Sequence, residues 1–322
     1  MSPRNRPLAW ARVLRLSLFP SAIADPAVGA LLGSAAVGSF GLAEWKTIGL
    51  ALGASLCVYH GAMALNDWAD RKVDAERGRS RPLVSGDLSA GLVLLVAVCL
   101  LAVGPALVHF GLQRPSATLA LVMASLVAAL YDLVGRGPWL GPFLLGAARG
   151  ANLLFGALAL GWQIGGTRAP LVAALAYGLF VFLIGRLGRM EDGEDSRPLA
   201  ERPATLLKGL ALWMVLAPLA VGLLARTESA SSAAPLYAWP AAVLGLAILA
   251  SRARLLHSLI TPAAWTPARV EAAMGPVLGS LVTWTVGLLL LAVPGPESWL
   301  VAALLLWAQK AGRRMMRFIP PS

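Results

Sequence analysis

The chain has 322 residues, a hydrophobic fraction of 58% and a mean hydropathy of +0.72, but only 13% of its residues are charged. Soluble globular proteins carry roughly 25% charged residues, so this composition excludes an ordinary soluble domain and indicates a protein of the lipid bilayer. The formal net charge of +11 does not indicate nucleic-acid binding, because the lysines and arginines lie mainly in groups between apolar segments. We therefore expect the lipid bilayer as a partner and no nucleic acid.

Nine apolar segments are long enough to cross a bilayer, which takes roughly 20 residues of helix. They lie at residues 18–40, 47–65, 88–111, 116–134, 139–161, 169–188, 206–225, 236–252 and 275–293. A tenth apolar stretch, 298–309, is shorter. No long polar region separates the segments. We therefore predict an all-α fold, a polytopic membrane bundle of nine or ten transmembrane helices that forms one integral membrane domain over residues 1–322.

Basic residues occur before the first span, in residues 1–17, and then in alternate loops. The positive-inside rule assigns such loops to the cytoplasm. We therefore predict a multi-pass protein of the cell membrane with a cytoplasmic N-terminus. The C-terminal tail, residues 310–322, is also basic. Ten spans would return this tail to the cytoplasm and nine would not, and the sequence leaves both open.

Four side chains with oxygen ligands follow the second apolar segment: Asn66, Asp67, Asp70 and Asp74. On a helix the three aspartates lie at i, i+3 and i+7 and therefore face one side. Three carboxylates repel one another unless a cation lies among them, and oxygen ligands of this kind suit Mg²⁺. We predict all four residues as metal ligands and the three aspartates as catalytic residues at the membrane surface.

Arginines follow these acids directly. Arg71 lies within the acidic segment, and Arg77 and Arg81 come just after it. Guanidinium groups form strong, charge-assisted hydrogen bonds with phosphate oxygens. Acids for a metal beside arginines for an anion indicate a site for Mg²⁺ and a diphosphate.

A second acidic cluster ends the sixth apolar segment. On a continued helix its members Glu191 and Asp195 would lie one turn apart, and the predicted topology puts them on the same side of the membrane as the first cluster. Two such clusters could hold a metal diphosphate between them. The alternative is a solvated loop whose acids balance nearby arginines, and the sequence leaves both open.

These motifs resemble those of the UbiA superfamily of intramembrane prenyltransferases. Residues 66–74 fit its first signature, Asn-Asp-x-x-Asp-x-x-x-Asp, at every specified position, and residues 81–86 match the Arg-Pro-Leu/Ile-x-x-Gly that follows it. The stretch from Tyr131 through Arg136 to residues 149–156 resembles the middle motif of the family. The resemblance covers about residues 12–210 and implies a membrane bundle of the predicted kind.

The second acidic cluster departs from the usual family signature, Tyr-Ala-x-x-Asp-x-x-x-Asp. Leu187 stands in the tyrosine position, and Glu191 and Asp195 stand in the aspartate positions. Both acids are therefore retained in kind, while the tyrosine is lost. The Arg-Met-Glu-Asp sequence of residues 189–192 resembles the EboC-like branch of the superfamily.

The resemblance implies a prenyltransferase that moves a prenyl group from an allylic prenyl diphosphate to an aromatic or other nucleophilic acceptor, with Mg²⁺ as cofactor and the site facing the cytoplasm. The implied catalytic residues, which with Asn66 also hold the metal, are Asp67, Asp70, Asp74, Glu191 and Asp195. The implied substrate-binding residues are Asn66, Arg71, Arg77, Arg81, Tyr131, Arg136, Arg149, Asn152 and Lys208. The sequence does not identify the acceptor.

Charged groups inside a span are unfavourable and often functional. For Asp25, in the first span, contact with the acceptor and pairing with an arginine both stay open. A membrane transporter and another diphosphate-dependent lipid enzyme are alternative functions. The main acidic clusters lie at one membrane face rather than at mid-bilayer, which favours the prenyltransferase.

Overall fold

The computed structural model describes residues 6–37, 42–135, 137–190, 202–228, 235–260 and 265–319, and all regular structure within these ranges is helical. The helices are α1 (Arg6–Val13), α2 (Phe19–Val37), α3 (Leu42–Glu76), α4 (Ala90–Leu112), α5 (Pro115–Val134), α6 (Leu140–Ala159), α7 (Ala169–Gly188), α8 (Arg202–Glu228), α9 (Pro235–Ser258), α10 (Pro267–Leu278), α11 (Ser280–Ala292) and α12 (Pro296–Met315). The prediction of an all-α fold is confirmed.

Within the described ranges, nine helical segments are long and apolar enough to cross a membrane. Each of them overlaps one of the nine predicted spans, so the predicted membrane bundle is confirmed. The ninth segment, Pro267–Ala292, contains both α10 and α11. The shorter tenth stretch lies in α12, a helix of 20 residues whose last turn carries Arg313 and Arg314. It is not one of the nine apolar segments.

Helix α3 is 35 residues long and continues well beyond the predicted span. A helix rises about 1.5 Å per residue, and the hydrocarbon core needs only roughly 20 residues. The last turns of α3, which carry residues 66–74, therefore extend past its apolar part. The acidic signature lies on a continuous helix and not in a loop, so its side chains are held by a rigid element.

Helices α2 and α6 pack closely through glycines. A Cβ atom on Gly33 of α2 would come within 2.6 Å of the backbone oxygen of Ala157. Gly156 of α6 in turn lies directly against the backbone of Pro26. Small residues let membrane helices approach in this way. The contacts hold α2 against α6 from Pro26 to Gly33, and Asp25 just before them faces polar side chains of α6.

The ends of several helices meet at one end of the bundle. The Arg15 side chain, just before α2, donates a hydrogen bond of 3.2 Å to Asn66 near the end of α3. Just after α7, the Arg189 Nη2 atom donates a hydrogen bond of 2.7 Å to the backbone oxygen of Gly135, just after α5. Asp132, near the end of α5, in turn lies close to Asn66. The carboxyl ends of α3, α5 and α7 are therefore neighbours, and we call this region the acidic end of the bundle.

Candidate active site

Two acids of the first signature are buried against arginines. Asp67 and Asp74 are each 1% exposed, and Arg81 bridges them, with its Nη1 atom 3.2 Å from Asp67 Oδ1 and 3.0 Å from Asp74 Oδ2. Arg15 Nη2 lies 3.3 Å from Asp67 Oδ1, and Arg79 Nη1 lies 3.3 Å from Asp74 Oδ1. The structure therefore brings the predicted acids and a predicted anion-binding arginine together.

Arg15 reaches this site because of an unusual backbone conformation. Its φ and ψ angles are 48° and 47°, in the left-handed region that few residues other than glycine adopt. The turn between α1 and α2 directs its guanidinium towards Asn66 and Asp67. Sequence reasoning counted Arg15 only as a topological charge. No local signal marks its role, because 51 residues separate it from Asn66 along the chain.

The structure also describes three other predicted cations, in α3, just after α3 and in α8. Arg71 Nη1 donates a hydrogen bond of 2.6 Å to the backbone oxygen of Trp68, and its guanidinium lies 4.3 Å from the centroid of the Trp68 ring. Arg77 follows α3 and is exposed, as is Lys208 in the first turns of α8. The predicted roles of these three residues in substrate binding stay predictions.

An acid that sequence reasoning did not single out also faces the cluster. Asp132, near the end of α5, is 4% exposed. Among the residues that the structure describes, neither of its carboxylate oxygens has a hydrogen-bond partner. The Asn66 side chain lies next to the Asp132 carboxylate but does not form a hydrogen bond with it. Asp70 and Arg15 are close enough to interact with Asp132 electrostatically. The signal available in the sequence was an acid within an apolar span, next to the predicted ligand Tyr131.

A cavity of about 80 Å³ lies between α3, α5 and α6. Tyr131 and Asp132 line the part nearest to the acidic end of the bundle. Arg149, Asn152 and Ser55 line the opposite part, since α3 and α5 run towards the acidic end and α6 runs away from it. Alanines and other apolar side chains form the wall between. The cavity therefore connects the charged end of the bundle with its apolar interior.

Arg149 and Asn152 are bonded to α2. The Asp25 side chain is fully buried, and its Oδ2 atom lies 2.9 Å from Arg149 Nε. Arg149 Nη2 also donates to Asp25 Oδ1 at 3.0 Å and to the hydroxyl of Tyr177 at 3.2 Å. Asn152 Nδ2 donates to Asp25 Oδ2 at 3.4 Å. Of the two roles left open for Asp25, the structure shows the ion pair with an arginine.

The donor chemistry of the acidic end suits Mg²⁺. Carboxylate and amide oxygens are the hard ligands that this ion prefers, and Asp132 has buried oxygens without a hydrogen-bond partner in the described residues. Those same residues contain no group of three or more His, Cys, Asp or Glu arranged to hold a metal. The carboxylate oxygens of Asp67 and Asp74 face arginines instead.

Three predicted site residues, Arg136, Glu191 and Asp195, lie outside the described residues. Helix α7 ends at Gly188, and the described chain continues to Met190. This point lies beside the end of α5, because the neighbouring Arg189 bonds there. The roles of Glu191 and Asp195 as metal ligands, and of Arg136 as a substrate ligand, stay predictions.

One protein family matches this chain. The model of the UbiA prenyltransferase family matches residues 27–257. This match is to the family as a whole, so the EboC-like branch stays a prediction. No curated protein matches the chain.

Solved structures share the fold. A structure of digeranylgeranylglyceryl phosphate synthase aligns with a TM-score of 0.60 and 18% identity, over 88% of this chain and 99% of that one. A UbiA homologue from Archaeoglobus fulgidus bound to DMAPP and Mg²⁺ aligns with a TM-score of 0.59 and 17% identity, over 87% and 98% of the two chains. The apo structure of a UbiA homologue from Aeropyrum pernix K1 aligns with a TM-score of 0.56 and 20% identity, over 85% of this chain and 97% of that one.

Proposed function

The chain belongs to the UbiA prenyltransferase family, and from this we propose that it transfers a prenyl group from an allylic prenyl diphosphate to a nucleophilic acceptor in a Mg²⁺-dependent reaction. The observation that carries the proposal is that the acidic α3 signature and its arginines lie beside Asp132, which lines the charged end of the cavity. The A. fulgidus homologue, bound to DMAPP and Mg²⁺, supports this choice of substrate and cofactor.

The residues proposed to hold the metal are Asn66, Asp67, Asp70, Asp74, Glu191 and Asp195. A bound Mg²⁺ would act as a Lewis acid that neutralises charge on the diphosphate leaving group. In the structure, the carboxylates of Asp67 and Asp74 form ion pairs with arginines. A diphosphate offers these arginines another anion, so its arrival would release the carboxylates for the cation. Metal and diphosphate are therefore expected to bind together.

The side chains proposed to hold the diphosphate are those of Arg71, Arg77, Arg81, Tyr131, Arg136 and Lys208. Their charged or hydroxyl hydrogen bonds would favour departure of the leaving group. In the transfer, the carbon–oxygen bond to the diphosphate breaks and the electron pair leaves with the oxygen. The acceptor nucleophile then bonds to the same carbon and loses a proton.

The cavity walls contribute by excluding water. An allylic cation reacts readily with water, and an apolar enclosure limits that side reaction. The wall between the two polar ends of the cavity is built from side chains such as Val58, Ala62, Ala124 and Leu145. Arg149 and Asn152 border the inner end of the cavity, where we propose that they contact the substrate while holding α2 in place.

The protein is a multi-pass membrane protein, and we propose that it lies in the cell membrane with the acidic end facing the cytoplasm. The support is the concentration of arginines at that end, which the positive-inside rule assigns to the cytoplasmic side. A transporter receives less support, because the intramembrane charges of Asp25 and Arg149 form a buried ion pair with each other.

The proposed function is tested by turnover of the purified protein with labelled dimethylallyl and geranyl diphosphates and a panel of aromatic acceptors. Released diphosphate and labelled product are both measured, with Mg²⁺ and with a chelator. We expect acceptor-dependent transfer that requires Mg²⁺. Asp87→Asn is the matched control, because Asp87 is an acid in a loop at the same end and bonds to Ser85. Transfer that is insensitive to the chelator would contradict the proposal.

A further inference from the structure

Asp132 is a buried acid that has no role in the function proposed above. It is 4% exposed, and neither oxygen has a hydrogen-bond partner among the described residues. Transfer of an unpaired carboxylate into an apolar interior is strongly unfavourable. Such a group is expected where a cation approaches during function. Asp132 also lines the cavity at its charged end.

The nearest part of α3 provides complementary ligands. Asn66 and Asp70 are one helical turn apart and therefore share a face of α3. Both lie close enough to Asp132 to act on it, and Asn66 faces it directly. Asp67 and Asp74 face arginines. Asn66 also accepts a hydrogen bond from Arg15, so the ligands next to α5 lie beside a cation as well as beside Asp132.

We propose that Asp132 is a further ligand of the divalent cation, which it shares with Asn66 and Asp70, so that the metal site joins α3 to α5. This inference rests on the proposed function, because it concerns the same cation. Carboxylate and amide oxygens are suitable ligands for Mg²⁺. A cation held by Asp132 would neutralise diphosphate charge at the end of the cavity that Asp132 and Tyr131 line.

The proposal is tested with Mn²⁺ as a spectroscopic substitute for Mg²⁺. Binding of Mn²⁺ to the purified full-length protein is followed by electron paramagnetic resonance, with and without a non-reactive geranyl diphosphate analogue. Asp132→Asn keeps the size of the side chain and removes its charge. We expect it to weaken Mn²⁺ binding by roughly 10–100-fold, the loss typical of groups that support a metal site. Asp87→Asn should bind Mn²⁺ as the wild type does.

A second measurement separates a ligand from a structural acid. Without divalent cations, the unfolding temperature of Asp132→Asn should equal or exceed that of the wild type, because the substitution removes an unpaired buried charge. The stabilisation that Mg²⁺ gives the wild type should be lost. A lower unfolding temperature in the absence of cations would show that Asp132 is a structural partner and overturn the proposal. If Asp132→Asn does not fold, Asp132→Ser serves for the same two measurements.

The outcomes also separate this inference from the proposed function. Normal Mn²⁺ affinity in folded Asp132→Asn overturns the role of Asp132 and leaves the metal-dependent transferase intact. Failure of the wild type to bind Mn²⁺, even with the diphosphate analogue, contradicts both.

Discussion

Among the residues that the structure describes, buried aspartates meet arginines at two places, and the two places differ in how their charges are paired. In the middle, one acid and one arginine, Asp25 and Arg149, pair at 2.9 Å, and the acid is fully buried. At the acidic end, Asp67 and Asp74 face three arginines whose side chains are 16–44% exposed. The middle pair matches one acid with one arginine, whereas the end cluster contains several acids and several arginines and is more accessible to solvent. The comparison suggests that the first stabilises the fold and the second exchanges partners with a ligand.

The largest expected effect is on stability, at the middle pair. Arg149→Met removes the cation and leaves the Asp25 carboxylate buried without its ion-pair partner. Breaking a buried pair from one side costs about 3–5 kcal/mol, so we expect a marked fall in the unfolding temperature of the protein in detergent. Thermal unfolding followed by circular dichroism measures the change.

The control for this prediction is the double variant Asp25→Leu with Arg149→Met. Replacing both members of a buried ion pair by apolar groups is often neutral, so the double variant should recover most of the lost stability. If the single variant unfolds within a degree of the wild type, the pair is not the structural element described here.

Next in size is the effect of Asp67→Asn on transfer. The substitution keeps the shape of a side chain that is 1% exposed but removes the charge proposed to hold the metal. Loss of one group that stabilises transition-state charge commonly lowers turnover by about 10²–10³. Turnover with saturating Mg²⁺ measures it, and the unfolding temperature confirms that the variant is folded. Wild-type turnover in folded Asp67→Asn would remove the first signature from the catalytic site.

Arg81→Gln should have a smaller effect on the same reaction. Arg81 bridges both buried acids and is 16% exposed. A hydrogen bond to a charged group contributes about 1.5–3 kcal/mol, which corresponds to roughly 10–100-fold in affinity. We expect the loss mainly in the affinity for prenyl diphosphate, measured as the KM for that substrate. An unchanged KM would place Arg81 outside the diphosphate site.

The smallest effect is expected for Arg79→Gln. Arg79 contacts only one of the two acids in the described structure, and its side chain is 44% exposed. Exposed ion pairs contribute about 0–1 kcal/mol, so the KM should rise by less than roughly five-fold. The KM values of Arg81→Gln and Arg79→Gln compare a bridging arginine with one that contacts a single acid. A larger effect for Arg79→Gln than for Arg81→Gln would reverse the assignment of the bridging arginine.

The nine spans and the location of the first signature could be predicted because both depend on local pattern. Apolar length predicts a span, and the spacing of residues 66–74 predicts one helical face. The partners of Asp25 and Asn66 could not be predicted in the same way. Asp25 is paired with a residue 124 positions away, and Arg15 reaches Asn66 through a left-handed turn. Such contacts depend on the packing of helices that only the fold brings together.

The role of Asp132 could not be predicted from the sequence either. An acid within an apolar span is a local signal, but its meaning depends on what it faces. Only the approach of α5 to α3 shows that it lies beside Asn66 and Asp70 without a hydrogen-bond partner in the described chain. The second cluster, with Glu191 and Asp195, lies outside the described residues, so its part in the site stays a prediction from the family signature.

The central claim is that the acidic end binds a prenyl diphosphate and Mg²⁺ together. The most direct test is the affinity of the purified protein for a non-reactive geranyl diphosphate analogue, measured by calorimetry with Mg²⁺ and with a chelator. This measurement needs no knowledge of the acceptor. We predict tight binding that requires Mg²⁺ and is lost in Asp67→Asn but retained in Asp87→Asn. Binding of equal strength with and without Mg²⁺, or unaltered binding in Asp67→Asn, would contradict the claim.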